Sequence, residues 1–203
     1  MDKQIKIKEL VLNDDGEWMG LYANSIVSAP AIERTAVLMK KHKPKAVSMT
    51  TEQGERRMMY GPVMIPDLMI YRRDDQTQEE WYATYSAETV RKCMNMFMKK
   101  GLQSRITIEH AFPITGVTMV ENWIVEDSEK DKSVALGLEP LAVGTWMTGA
   151  LIEDDDTWEL AKNGALTGFS IEAFFDQIEK HGTKTEEERF IEELETYMKS
   201  FQQ

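Results

Sequence analysis

The chain has 203 residues, 42% hydrophobic and 29% charged, the proportions of a globular protein with room for one sizeable core. Its formal net charge of −11 and pI near 4.9 argue against nucleic acid as the main partner, because phosphate binding needs clustered Lys and Arg. The single cysteine, Cys93, excludes an intramolecular disulfide framework and fits a reducing compartment; no apolar run is long enough to span a membrane, and no secretory signal is expected at the start.

In chain order, residues 5–12 read as a strand, 13–16 as a turn and 17–28 as a second strand. A short helix is expected over 31–41, stopped by Pro44. The basic cluster at 40–45 reads as a solvated surface segment. Residues 58–73 are apolar but broken by Pro62 and Pro66, which suits an edge or bulged strand rather than a central one. A turn at 74–80 and a short strand at 81–85 follow.

Ser86 is the expected N-cap of a helix over 87–100. Val90, Cys93, Met94, Phe97 and Met98 recur there at helical spacing, and Gly101 ends it. Four strands are then expected, at 104–112, 116–127, 143–152 and 168–178, with a two-turn helix at 156–164 closed by Gly164. The tail should form an amphipathic helix over 186–201. Thr185 and Glu188 make a capping box, and Phe190, Ile191, Leu194, Tyr197, Met198 and Phe201 form one apolar stripe. The pattern as a whole is α+β: a mostly antiparallel sheet or barrel with a few helices around it.

Several chemistries lack support. The three histidines are far apart, and no CxxC or HExxH spacing occurs, so neither a metal nor another cofactor is expected. The acidic run 153–159 lacks the glycine and ligand spacing of a calcium loop and reads as a solvated turn. Phosphate-binding glycine loops and a G-x-S-x-G elbow are absent from the sequence.

The last strand, "GFSIEAFF", raises a question of its own. Ser170 and Glu172 share one face while Phe169 and Ile171 point the other way. An edge strand with one wet face would account for this. So would a nucleophilic serine, which needs an imidazole base. His42 lies in the basic surface segment and His181 in a polar connection, so His110, within the strand pattern "ITIEHAF", is the candidate base. For the group that orients the imidazole, Glu121 is attractive because "VTMVENWIV" reads as a strand returning beside His110. Glu172, Asp176 and His181 remain candidates.

The run from Ile108 through "EHAFPITGVTMVENWIVED" to "GTWMTGALIEDDDTWELAKNGALTGFSIEAFF" resembles phage serine proteases of the XkdF type. These are grouped with prohead maturation proteases and, more distantly, herpesvirus assemblins. The resemblance covers roughly 58–176 and rests on His110, the E-N-W-I run at 121–124, and G-F-S-I-E at 168–172. It implies a serine endopeptidase on a closed or nearly closed, herpesvirus-protease-like β-barrel, with Ser170 as nucleophile and His110 as base. Assemblins place a second histidine well after the serine. His181 follows only a short way on, so Glu121, inside the matching motif, is preferred as third member.

The implied substrates are the scaffold, the major capsid protein and the protease itself. The implied place of action is the assembling prohead in the host cytoplasm, with a homodimer as a candidate assembly. On this reading, 58–180 is the protease core and 181–203 an appended helix. Residues 1–57 are either part of the barrel or a propeptide. The alternative is a non-enzymatic capsid-assembly or scaffold-binding protein on the same framework.

Overall fold

Short alternating segments and two capped helices dominate the chain, and the structure follows them. The computed structural model describes residues 6–12, 21–30, 47–51, 54–74, 76–173 and 175–180. Strands β1 (Lys6–Val11), β2 (Leu21–Val27), β3 (Val47–Thr51), β4 (Gly54–Met64), β5 (Ile70–Arg73) and β6 (Glu80–Thr84) precede helix α1 (Ala87–Lys99). Then come β7 (Ile106–Ile108), β8 (Phe112–Ile114), β9 (Val117–Ile124), helix α2 (Lys132–Ala135) and β10 (Trp146–Ile152). Helix α3 (Asp155–Lys162) leads to β11 (Gly168–Ala173) and β12 (Asp176–Lys180).

Both longer helices begin where a side chain can satisfy their free N–H groups. Ser86 Oγ accepts from the Thr89 N–H at 3.2 Å, and α1 buries Val90, Cys93 and Phe97. Asp154 caps α3, accepting from the Thr157 N–H at 2.8 Å. Asp155 and Asp156 occupy the first turn of α3, where the positive end of the helix dipole stabilises them. The acidic run read as a solvated turn is therefore the start of a helix, and Trp158 behind it is buried.

The strands form three four-stranded sheets, ordered β12-β1-β6-β5, β3-β4-β10-β9 and β11-β2-β7-β8. Pairing is mostly antiparallel; β1–β6 and β2–β7 are parallel. The α+β class with mostly strands is what the sequence implied. A closed barrel is not found among the described residues, where each sheet ends in strands with one unpaired edge.

Three strand expectations change in detail. Residues 104–112 divide into β7, a turn and β8, and residues 168–178 divide into β11 and β12, which lie in different sheets. Residues 58–73 contribute to two strands, and β4 is interior rather than an edge. Pro62 is tolerated there because β3 pairs with β4 only as far as Tyr60, and the β10 register shifts between its partners Met64 and Pro62. The expected bulge is real; the expected edge is not. The turn at 13–16, the helix at 31–41 and the tail helix at 186–201 lie outside the described residues.

One core joins the layers. Leu10, Ile26, Met59, Phe97, Trp146 and Phe169 bring β1, β2, β4, α1, β10 and β11 into a single buried cluster. The Phe97 and Trp146 rings pack at a tilt of 58°, with centroids 5.3 Å apart. Phe169 lies against Gly61 of β4, where an added Cβ would stand 3.3 Å from its ring. This seats β11 firmly on the side opposite Ser170.

Candidate active site

The third sheet carries the chemistry. β2 lies between β11 and β7, and its register places Ser25 directly opposite Ser170 on one side and Thr107 on the other. Residues directly opposite across paired strands share a sheet face. Ser170, Ser25 and Thr107 therefore form one polar row. Phe169 on the other face is fully buried, whereas Ser170 is half-buried. Gly168 starts the strand beneath Pro30, where a Cβ would meet Pro30 Cγ at 2.7 Å.

His110 does not sit on a strand, as the sequence pattern suggested. β7 ends at Ile108, and the Ala111 N–H donates to the Ile108 carbonyl at 3.1 Å, closing a tight turn. Its central residues, Glu109 and His110, have φ of 51° and 57°, the sign pattern of a type I′ hairpin turn. Neither is a glycine, and such positions are costly for ordinary residues, by about 1–3 kcal/mol each. The surrounding hydrogen bonds fix the turn. Glu109 N–H donates to the Ile26 carbonyl at 3.1 Å, the Ser28 N–H donates to Glu109 Oε1 at 2.6 Å, and the His110 N–H donates to Ser25 Oγ at 3.0 Å. Ser25 Oγ–H in turn donates to the Thr107 carbonyl at 3.2 Å.

The turn thus folds His110 back over the polar row, above the serine that neighbours Ser170. Its Nδ1 lies 3.4 Å from Glu172 Oε1. The same oxygen accepts from Thr107 Oγ1–H, across β2. The Glu172 side chain is 11% exposed and that of His110 is 42% exposed. Shielding keeps the carboxylate's interaction from being screened, while the imidazole remains open to a ligand. With Nδ1 turned to the carboxylate, Nε2 is the ring nitrogen directed away from it.

Glu121 is placed elsewhere. β9 pairs with β10, so the strand carrying Glu121 does not return beside the histidine. Tyr60 Oη–H donates to Glu121 Oε1 at 3.1 Å, and Lys132 pairs with its other oxygen. The Lys132 ammonium also lies 5.1 Å from the ring centroids of Tyr60 and Trp123, which ties α2 to this sheet. Asp176 is exposed on β12, in a third location, and His181 lies outside the described residues. Among the described residues, no three His, Cys, Asp or Glu side chains gather as a metal site.

Ser25 and Thr107 were not singled out from sequence. A signal existed for Ser25: "ANS" interrupts an apolar strand, and Asn24 and Ser25 prove fully buried. The arrangement sets a serine hydroxyl, an imidazole and a shielded carboxylate around one face of the sheet, the group types that hydroxyl activation requires.

Residues 46–179 match the family described as "Putative phage serine protease XkdF". Over 130 residues the chain is 26% identical to the phage-like element PBSX protein XkdF of Bacillus subtilis (strain 168). That stretch is 64% of this chain and 41% of the relative, so the match takes in less than half of the relative's length. No solved structure matches the chain.

Proposed function

We propose a function from one premise: the chain belongs to the XkdF-type family of phage serine proteases. The reading is that of an endopeptidase in which Ser170 is the nucleophile, His110 its base and Glu172 the carboxylate that orients the base. His110 Nε2 takes the Ser170 proton as Oγ attacks a peptide carbonyl, then gives it to the leaving amine. Water, deprotonated by the same nitrogen, releases the acyl group and restores the serine. Glu172 holds the Nδ1–H tautomer and stabilises the imidazolium that forms in each step.

The observation that carries this reading is the contact of His110 Nδ1 with Glu172, made while the His110 backbone is fastened to Ser25 beside Ser170. The substrates, on this proposal, are the scaffold, the major capsid protein and the chain itself, cut inside an assembling prohead in the host cytoplasm. A herpesvirus-protease-like framework and a homodimer belong to the same proposal, and Glu172 takes the role first given to Glu121.

The test is labelling of the full chain with a fluorophosphonate, followed by co-expression with the capsid and scaffold proteins and mass spectrometry of the fragments. Labelling at Ser170 and discrete cuts in those partners are expected. A chain that neither labels nor cuts would favour the non-enzymatic assembly role.

A further inference from the structure

Beside Ser170, on the unpaired edge of β11, the sheets leave a pocket of about 210 Å³. Its walls come from all three sheets: Ile171 and Ala173 from β11, Val63 from β4, Ile70 from β5, and Tyr85 just after β6. Ser170 itself forms part of the wall. The pocket is large for an unfilled space beside a core, since a dry apolar cavity of about 150 Å³ already takes a benzene molecule. Among the described residues, the one charged wall residue is Arg72, which stands close to the Tyr85 hydroxyl.

We propose that this pocket binds one large apolar side chain of a peptide substrate, of the Leu, Ile, Met or Phe type, and so selects the cleavage site. The inference rests on the proteolytic reading above and adds its specificity. The wall takes the apolar face of β11 (Phe169, Ile171 and Ala173) together with Ser170, whose hydroxyl belongs to the polar row on the other face. A substrate crossing the unpaired edge of β11 can seat one side chain in the pocket while its backbone passes the nucleophile. An extended chain advances at most about 3.3–3.6 Å per residue, which places the selected residue within two positions of the bond that is cut.

The wall chemistry decides among side chains. A Lys or Arg would meet the partly buried Arg72 guanidinium, a like charge that disfavours it. A short Asp, Asn or Ser would leave Val63, Ile70, Ile171 and Ala173 uncovered, even where its polar end reached Arg72. Gly and Ala would leave the space empty and forgo its dispersion contacts. A large aliphatic or aromatic side chain satisfies all three conditions.

The experiment uses the full-length chain and a library of peptides from a digested proteome, with cut sites mapped by mass spectrometry. Leu, Ile, Met and Phe should be enriched at one fixed position within two residues of the cut. Pocket discrimination of this kind is worth about 10- to 200-fold in relative kcat/KM. Ala173→Phe, which points a ring into the space, should shift the preference at that position to Gly and Ala. Cuts with no apolar preference in the wild type overturn the proposal. So does a folded A173F, by circular dichroism, that keeps the wild-type preference. Failure of the wild type to react with a fluorophosphonate at Ser170 would overturn the protease reading instead, and the pocket's role with it.

Discussion

Ser25 and His110 are joined through the backbone: the His110 N–H donates to Ser25 Oγ at 3.0 Å, and Ser25 lies directly opposite Ser170. A buried hydroxyl on one strand therefore sets where the imidazole stands relative to the hydroxyl on the next. Ser25 is fully buried beneath the turn, so its hydroxyl has little access to competing water.

Loss of the nucleophile or the base should abolish cleavage and leave the fold intact. Ser170→Ala removes a half-buried hydroxyl whose strand is anchored by Phe169 on the other face. For the base, His110→Asn is the cleaner change, because Asn tolerates the positive φ of 57° better than most residues. In subtilisin, an unrelated serine protease, removing the serine or the histidine costs about 2 × 10⁶ in kcat, and a loss of that order is expected here. Fragment analysis by mass spectrometry with a circular dichroism spectrum for each variant checks this; normal spectra with retained cutting contradict the assignment.

The two glutamates should separate cleanly. Glu172→Gln keeps shape but removes the charge facing His110 Nδ1, and a loss of about 10⁴ in kcat is expected, as for the equivalent amide change in a serine protease triad. Glu121→Gln breaks a half-exposed pair with Lys132 and should change stability by about 0–1 kcal/mol and activity by less than about twofold. Peptide kinetics and thermal melts of both variants decide. The opposite ranking would return the orienting role to Glu121.

Ser25→Ala should act on catalysis more than on binding. Without the hydroxyl, the His110 N–H loses its acceptor in a part-buried bond, at a cost of about 1–3 kcal/mol at most, and the turn is freer to move. A kcat fall of roughly 5- to 160-fold with KM little changed is expected from that energy. Ser25 precedes the stretch that matches the family, residues 46–179, yet β2 is the strand between Ser170 and His110. Removing residues 1–30 should therefore abolish activity outright. A truncated chain with full activity would make this segment dispensable, as a propeptide is.

What was legible in the sequence was local. Ser86 announces α1 because a cap and a helical stripe are neighbours in sequence, and Gly164 marks the end of α3 in the same local way, although the acidic start of that helix reads as a turn. The shared face of Ser170 and Glu172 followed from period-two alternation alone, and Glu172 is the carboxylate that meets His110. Illegible features were those set by distant partners. That β9 pairs with β10 rather than with β7 depends on residues some thirty positions on, and it takes Glu121 away from the histidine. The turn at Glu109-His110 carries no Gly, Asn or Pro, so nothing local marks it; bonds from Ser25 and Ser28 impose it. Pro62 looked like an edge signal because the early end of β3 is invisible from β4 alone.

Cys93 offers a measurement of the fold that is independent of the site. It is the sole cysteine, fully buried on α1 beside Val90 and Phe97, and burial pushes its thiol up to about 12. The thiolate is the reactive form, so native protein at pH 8 should resist iodoacetamide, and the rate should match that of a free thiol only in urea. The same shift fixes the sign of a pH dependence. An ordinary thiol ionises near 9.0, so the unfolded chain releases this proton first and native stability is undiminished below about pH 9. Between about 9 and 12 the unfolded state binds fewer protons, and stability should fall by on the order of 1 kcal/mol per pH unit. Tyr85, also raised to about 12 by burial, adds to the fall above pH 10, its ordinary value being 10.0. Urea melts of wild type and Cys93→Ala across pH 8–11 check both statements. The Ala variant should start less stable and lose stability less steeply above pH 9. Rapid alkylation of the native wild type at pH 8, or parallel pH profiles for the two proteins, would show that Cys93 is not sealed in the core.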